Sequence, residues 1–135
     1  MTQRLNALGL ACDTEFCMEF WMEGGPIGRL YVDHLVENAV VVEYKALSHL
    51  LTNDEIGQVI TYLAAICKPV GMLFNFGRRR LEYRRIFRPK TLEGWEDRIQ
   101  RYLWYPGRDR RLSHEDVGRN RSIVKKTAEG DTCTG

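Results

Sequence analysis

Four cysteines, three histidines and four prolines are spread through 135 residues, and the first two scarcities narrow the possibilities. The cysteines, at 12, 17, 67 and 133, form no Cys-x2-Cys pair, and no histidine stands at a finger spacing from them. A zinc module is therefore excluded. Cys17 alternates with apolar neighbours and Cys67 lies on an apolar helical stripe. Four reduced, unligated thiols are expected, these two as small buried hydrophobes. No stretch approaches the roughly 18 apolar residues of a membrane span. Met1 to Ala11 lacks a basic segment followed by an apolar one, so no secretory leader is read and the cytoplasm is the expected compartment. There is no internal repeat. The net charge of +2 is too small to specify a partner, so what matters is where the positive residues gather.

What is present fits one small domain. The chain is 44% hydrophobic and 28% charged, near the globular average, and can bury a core without staples. The composition breaks near Pro89-Lys90. Residues 1–90 read as the folded domain. Residues 91–107 can form one amphipathic helix through Leu92, Trp95, Ile99 and Leu103, ended by Pro106-Gly107. That helix would cover an open side of the sheet. Residues 108–135 mix charges, Gly and Ser with few large apolar groups and are expected to be a disordered tail.

Within residues 1–90 the elements alternate. Thr2 to Leu8 reads as a short helix stopped at Gly9. Thr14 to Met22 is a strand ended by Gly24-Gly25-Pro26. Leu30 to Val36 is a second strand and the β-branched run Ala39 to Lys45 a third, joined as a hairpin. Thr52 and Glu55 form a capping box, and Ile56, Val59, Ile60, Leu63 and Cys67 continue a helical face until Lys68-Pro69. Val70 to Phe76 is a buried strand, and Leu81 to Phe87 an edge strand. The order α, β, β, β, α, β, β requires a parallel pairing across the helix and so a mixed sheet.

Polar residues interrupt this apolar scaffold at a few positions. Asp33 sits inside Tyr-Val-Asp-His-Leu-Val. Glu43 and Lys45 are two apart on a strand and share a face. Gln58 and Tyr62 are four apart on the helix, beside its apolar stripe and at the rim of the helix–sheet interface. Asp33 can meet Glu43 only if the two are directly opposed. A two-residue turn at 37–38 would set Asp33 against Val42 and send the carboxylates to opposite faces. The pairing thus requires a three-residue loop, Glu37-Asn38-Ala39, with Asn38 or its neighbour near the left-handed region. Two carboxylates so placed raise each other's pKa unless a cation joins them, and Mg²⁺ or Mn²⁺ is the hard ion that suits them. The ion would supply a nucleophilic water and polarise a phosphate. Lys45 would orient that water or stabilise charge growing on phosphorus, Gln58 would hold Lys45 or a water, and Tyr62 would touch a polynucleotide backbone.

Glu-x-Lys alone is common; Asp33 before it and Gln-x3-Tyr on the next helix make the combination specific. Asp33, Glu43-Tyr44-Lys45 and Gln58-Val-Ile-Thr-Tyr62 resemble the PD-(D/E)XK nuclease superfamily pattern, with the Gln-x3-Tyr addition of its RecB-like branch. More narrowly, Leu5 to Phe87 is similar to the bacterial GxxExxY protein family, through Ile27-Gly28-Arg29, Val42 to Ala46, Gln58 to Leu63, Val70 to Gly77 and Arg84-Arg85-Ile86. The resemblance implies a restriction-endonuclease-like αβββαβ core, a divalent-metal nuclease activity and catalytic Asp33, Glu43, Lys45 and Gln58, with Asp33 and Glu43 as metal ligands. It also implies a first helix carrying Gly-x-x-Glu-x-x-Tyr ahead of Leu5. The first helix is therefore expected to be shortened, with one acidic group lacking unless a second copy or another chain completes the site. His34, where an apolar residue is expected, faces away from Asp33 and reads as structural.

The densest basic cluster is Arg78-Arg79-Arg80, then Arg84, Arg85, Arg88 and Lys90. It reads either as a phosphate-neutralising surface or as a solvated turn and a charged edge strand. Three functions stay open from the residues: a Mg²⁺-dependent nuclease acting on DNA, an impaired relative that binds nucleic acid without cutting, and an interaction module using an exposed sheet face.

Overall fold

The computed structural model describes residues 1–22, 25–91, 93–104 and 123–127; for Met22, Gly25 and 123–127 only the backbone is described. In chain order the elements are α1 (Thr2–Ala7), β1 (Cys12–Met22), β2 (Gly25–Val36), β3 (Val40–Lys45), α2 (Asn53–Ile66), β4 (Val70–Asn75), β5 (Glu82–Phe87), α3 (Trp95–Ile99) and β6 (Ile123–Thr127). The αβββαβ order and the mixed sheet are as expected. β1, β2 and β3 form an antiparallel meander. α2 carries the chain over one face to β4, which pairs parallel with β3, and β5 returns antiparallel to β4. The sheet order is β5-β4-β3-β2-β1-β6. Among the described residues no helix is long and apolar enough to cross a membrane.

α2 starts where its cap places it. The Thr52 N–H donates to Glu55 Oε2 at 2.6 Å and the Asp54 N–H to Thr52 Oγ1 at 3.3 Å, so orphan donors of the first turn are satisfied. It ends at Cys67, whose φ of 56° turns the chain out of the helix. Val59, Leu63 and Ala65 are fully buried, and Ile66 nearly so, against Val41, Leu73 and Ile86 of the sheet. Burying Val59, Leu63 and Ile66 contributes about 1.5–3 kcal/mol each, and the Ala65 methyl less. The close approach of helix and sheet depends on Gly71, where an added Cβ would lie 2.6 Å from Val59 Cγ1.

Several expectations are corrected. The core does not stop at residue 90: Ile99 and Leu103 belong to it, and Trp95 packs edge-on to Phe20. α3 is only five residues long; it lies against α2, and its Trp95 reaches Phe20 of β1, so it covers only a small part of the sheet. Trp104 then forms an antiparallel bridge with Arg29, with both backbone bonds at 2.7 Å. Residues 123–127, expected within a disordered tail, add a parallel strand to β1. The physical reason is the unpaired edge of β1, which gives the β-branched Ile123-Val124 pair a row of backbone partners. The other residues of 108–135, and the stop at Pro106-Gly107, lie outside the described residues. Cys12 and Cys17 are free thiols, but Cys67 is disulfide-bonded. It stands at the helix cap and is half-exposed instead of lying in the buried stripe, so its sulfur can be reached from outside the core.

Two glycine substitutions should move stability in opposite directions. Gly71→Ala is expected to destabilise by about 1–3 kcal/mol through overpacking. Gly57→Ala, within α2 and with nothing in the way of a Cβ, is expected to stabilise by up to about 1 kcal/mol. Urea unfolding of both variants beside the parent chain checks the pair.

Candidate active site

The geometry starts at the hairpin between β2 and β3. Glu37 and Asn38 both adopt left-handed backbone, at φ 52° and 53°, and the Ala39 N–H donates to Val36 O at 3.0 Å. Val36 nevertheless pairs with Val40, then Leu35 with Val41 and His34 with Val42. The loop is thus the three-residue loop 37–39, and the next position in register sets Asp33 against Glu43.

There the ladder stops and side chains take over. The Asp33 N–H donates to Glu43 Oε1 at 3.2 Å, and the Tyr44 N–H donates to Asp33 Oδ2 at 2.8 Å. Each carboxylate accepts from backbone on the opposite strand, so β2 and β3 are held together across the point where their own pairing ends. Glu43 is 6% exposed, whereas Asp33 and Lys45 are half-buried. Burial, then the neighbouring Asp33 charge, pushes the Glu43 carboxyl up to about 8; the Asp33 N–H and Lys45 oppose that shift.

Lys45 is held from the helix side. Its Nζ donates to Gln58 Oε1 at 2.8 Å, and Gln58 Nε2 donates to the Tyr62 hydroxyl at 2.6 Å. The chain of bonds fixes which way the Gln58 amide points and therefore where Lys45 rests. Tyr62 is 5% exposed and packs edge-on to Tyr102. Burial and the Glu43 charge keep its phenol well above the usual tyrosine range. This corrects the expectation that Tyr62 touches a polynucleotide. The turn after α3 supplies Tyr102 and closes over it, so Tyr62 anchors Gln58 from inside the core.

The six arginine and tyrosine positions proposed to contact nucleic acid do not form one patch. Arg78, Arg79 and Arg80 lie exposed in the turn after β4, at the end of the sheet where β3 delivers Lys45, and the Phe76 N–H donates to Lys45 O at 2.8 Å. With Arg84 they line a groove of about 730 Å³. Arg84 also pairs with Glu82 at 3.6 Å. Arg85 is next in sequence but on the opposite face, over the Phe87 ring at 5.4 Å. His34 is turned from Asp33, as expected, with Nδ1 3.4 Å from Cys12 Sγ, and burial lowers its pKa.

Sequence reasoning missed Asn75. It is fully buried; its Oδ1 accepts from the N–H of Leu47 at 2.9 Å and of Gly77 at 3.1 Å, and its Nδ2 donates to His49 O at 3.0 Å. Glu82 accepts from the Leu51 N–H at 3.1 Å. Together they tie the 46–51 segment that follows Lys45 to the end of β4 and the start of β5. The available signal was an amide inside the apolar run Val-Gly-Met-Leu-Phe-Asn-Phe.

Two hard oxygen donors side by side fit a divalent cation, whose charge would offset the burial and the Asp33 repulsion that together raise Glu43. Among the described residues no group of three or more His, Cys, Asp or Glu side chains is placed to hold a metal. A family model described as the PD-(D/E)XK nuclease superfamily matches residues 1–86. No curated protein and no solved structure matches the chain.

The raised Glu43 carboxyl carries a pH signature. It holds its proton more tightly in the folded chain, so its contribution favours folding fully below about pH 4.5 and is lost as pH rises through about 8. Metal-free stability should fall across that window, by at most about 1.4 kcal/mol per pH unit. Glu43→Gln should flatten the profile, and a profile unchanged by that substitution would refute the assignment.

Proposed function

The chain belongs to the PD-(D/E)XK nuclease superfamily, and from that premise we propose that it hydrolyses phosphodiester bonds in DNA with a divalent ion, Mg²⁺ or Mn²⁺, held by Asp33 and Glu43. The observation that carries this reading is the opposed Asp33–Glu43 pair with Lys45 fixed beside it by Gln58. When bound, the ion would supply Lewis acidity toward the phosphate and toward an attacking water.

The chain's own groups then have separate tasks. Asp33 and Glu43 hold the ion with their charges while still bonded to backbone across the strands. Lys45 orients the water or stabilises negative charge developing on the phosphate. Gln58 is a positioning residue, acting through Lys45, and Tyr62 positions Gln58. Arg78, Arg79, Arg80 and Arg84 neutralise phosphates along the groove beside the Lys45 end of the sheet. The bacterial cytoplasm, where DNA is found, is the compartment this reading implies. The likeness of Val42 to Ala46 and Gln58 to Leu63 to the GxxExxY family supports placing the chain in that branch.

A second reading is favoured by the count of acidic groups. With two carboxylates and no third metal-binding side chain beside them among the described residues, the fold would bind nucleic acid without cutting, unless a second copy or another protein supplies the missing group.

Cleavage of linear DNA in Mn²⁺ or Mg²⁺ separates the two. Activity is expected to vanish with EDTA and to fall by about 10²–10³ in Lys45→Ala, the scale of losing one group that stabilises transition-state charge. Glu43→Gln should abolish the metal dependence with the activity. Well-folded protein that cuts neither single- nor double-stranded DNA would sink the active reading for this chain alone.

A further inference from the structure

The face of the sheet away from α2 carries a second set of groups that this site does not use. In register across β3, β4 and β5, Tyr44 stands beside Phe74 and Phe74 beside Tyr83, while Met72 stands beside Arg85 and Val70 beside Phe87. Phe76 extends the aromatic row. Ring centroids are 6.0 Å apart for Tyr44–Phe74, 5.7 Å for Tyr44–Phe76, 6.0 Å for Phe74–Phe76 and 6.4 Å for Phe74–Tyr83. Such rings normally sit inside. Here Phe76, Tyr83 and Phe87 are 53%, 59% and 64% exposed. α1 buries none of its own residues and leaves a hollow of about 570 Å³ lined by Tyr44, Phe76 and Arg4, among others.

The charge in these rows is a single arginine. Along these rows β3, β4 and β5 present Arg85 and no carboxylate; Glu43 and Glu82 stand on the α2 side. A second copy docking face to face about a two-fold axis would bring one Arg85 toward the other, whereas a polyanion would neutralise it. Exposed rings around an arginine suit unstacked bases joined by phosphates. A duplex, whose bases are already stacked on each other, offers the rings nothing to cover.

Resting on the nuclease reading and naming its substrate form, we infer that this outer face is a stacking platform for single-stranded nucleic acid feeding the Asp33–Glu43 site. Tyr44 connects the two. Its ring lies on the platform, its N–H donates to Asp33, and it stands between Glu43 and Lys45 in β3. A flexible strand laid over the exposed Tyr83 and Phe76 passes round the Arg78–Arg80 turn to reach Lys45.

The test is fluorescence anisotropy with a labelled oligothymidylate and its duplex with oligoadenylate, in EDTA, so that binding is read without cleavage. The single strand is expected to bind tighter than the duplex. Tyr83→Ala and Phe76→Ala, both at exposed positions, should each weaken it about tenfold, and Tyr83→Phe should retain binding. Equal binding of the duplex, variants that bind like the parent, or a dimer in sedimentation that these variants dissociate would each overturn the inference. Failure of the nuclease reading looks different. Ring-dependent binding with no cleavage in Mn²⁺ keeps the platform and removes the activity. Lys45-dependent cutting of duplex, indifferent to Tyr83→Ala and Phe76→Ala, keeps the activity and removes the platform.

Discussion

The arrangement of the candidate site depends on β2 and β3 ceasing to pair after His34 and Val42. Strands that diverge leave backbone donors unpaired inside the protein, which costs about as much as lost hydrogen bonds. Here Asp33 and Glu43 accept those donors. The same two carboxylates that bridge the divergence are the oxygen donors of the proposed cation site. Structural and chemical demands thus fall on the same atoms. The burial of Glu43 beside Asp33 raises its carboxyl, so without a counter-ion the pair favours keeping a proton over carrying two charges.

Much of this was legible because it is local. A Thr and a Glu three residues apart specify the start of α2 whatever surrounds them. The loop at 37–39 followed from parity: the side-chain period of a strand is two, so only an odd loop could bring Asp33 and Glu43 to one face. Other features were not legible, because they are set by residues distant in sequence. Gln58 and Tyr62 share one helical flank, yet Tyr102 closes over Tyr62, so it is buried and cannot contact solvent or ligand. Arg84 and Arg85 looked like one basic cluster and are separated by the thickness of a sheet. Ile123-Val124 is too short an apolar signal to read without the open edge of β1.

The two faces of the sheet differ in what they can do. The α2 side is packed, with its polar groups gathered at the carboxylates, Lys45 and Gln58 and at Asn75 and Glu82, so it holds a few groups rigidly. The outer side leaves rings exposed around Arg85, so it suits a ligand that conforms to it. β3 alternates between these roles residue by residue: Glu43 and Lys45 to one side, Tyr44 to the other.

The pairing of β6 with β1 joins opposite ends of the chain, whereas the meander of β1 to β3 and the β4–β5 pair are made between neighbours. Closing so long a loop yields little until the rest of the sheet is in place. β6 is therefore the last strand to zip and the first to open, and its amides should exchange with solvent well before those of β3 and β4. Until it docks, each newly made chain shows the bare edge of β1, a template for strand exchange with its neighbours.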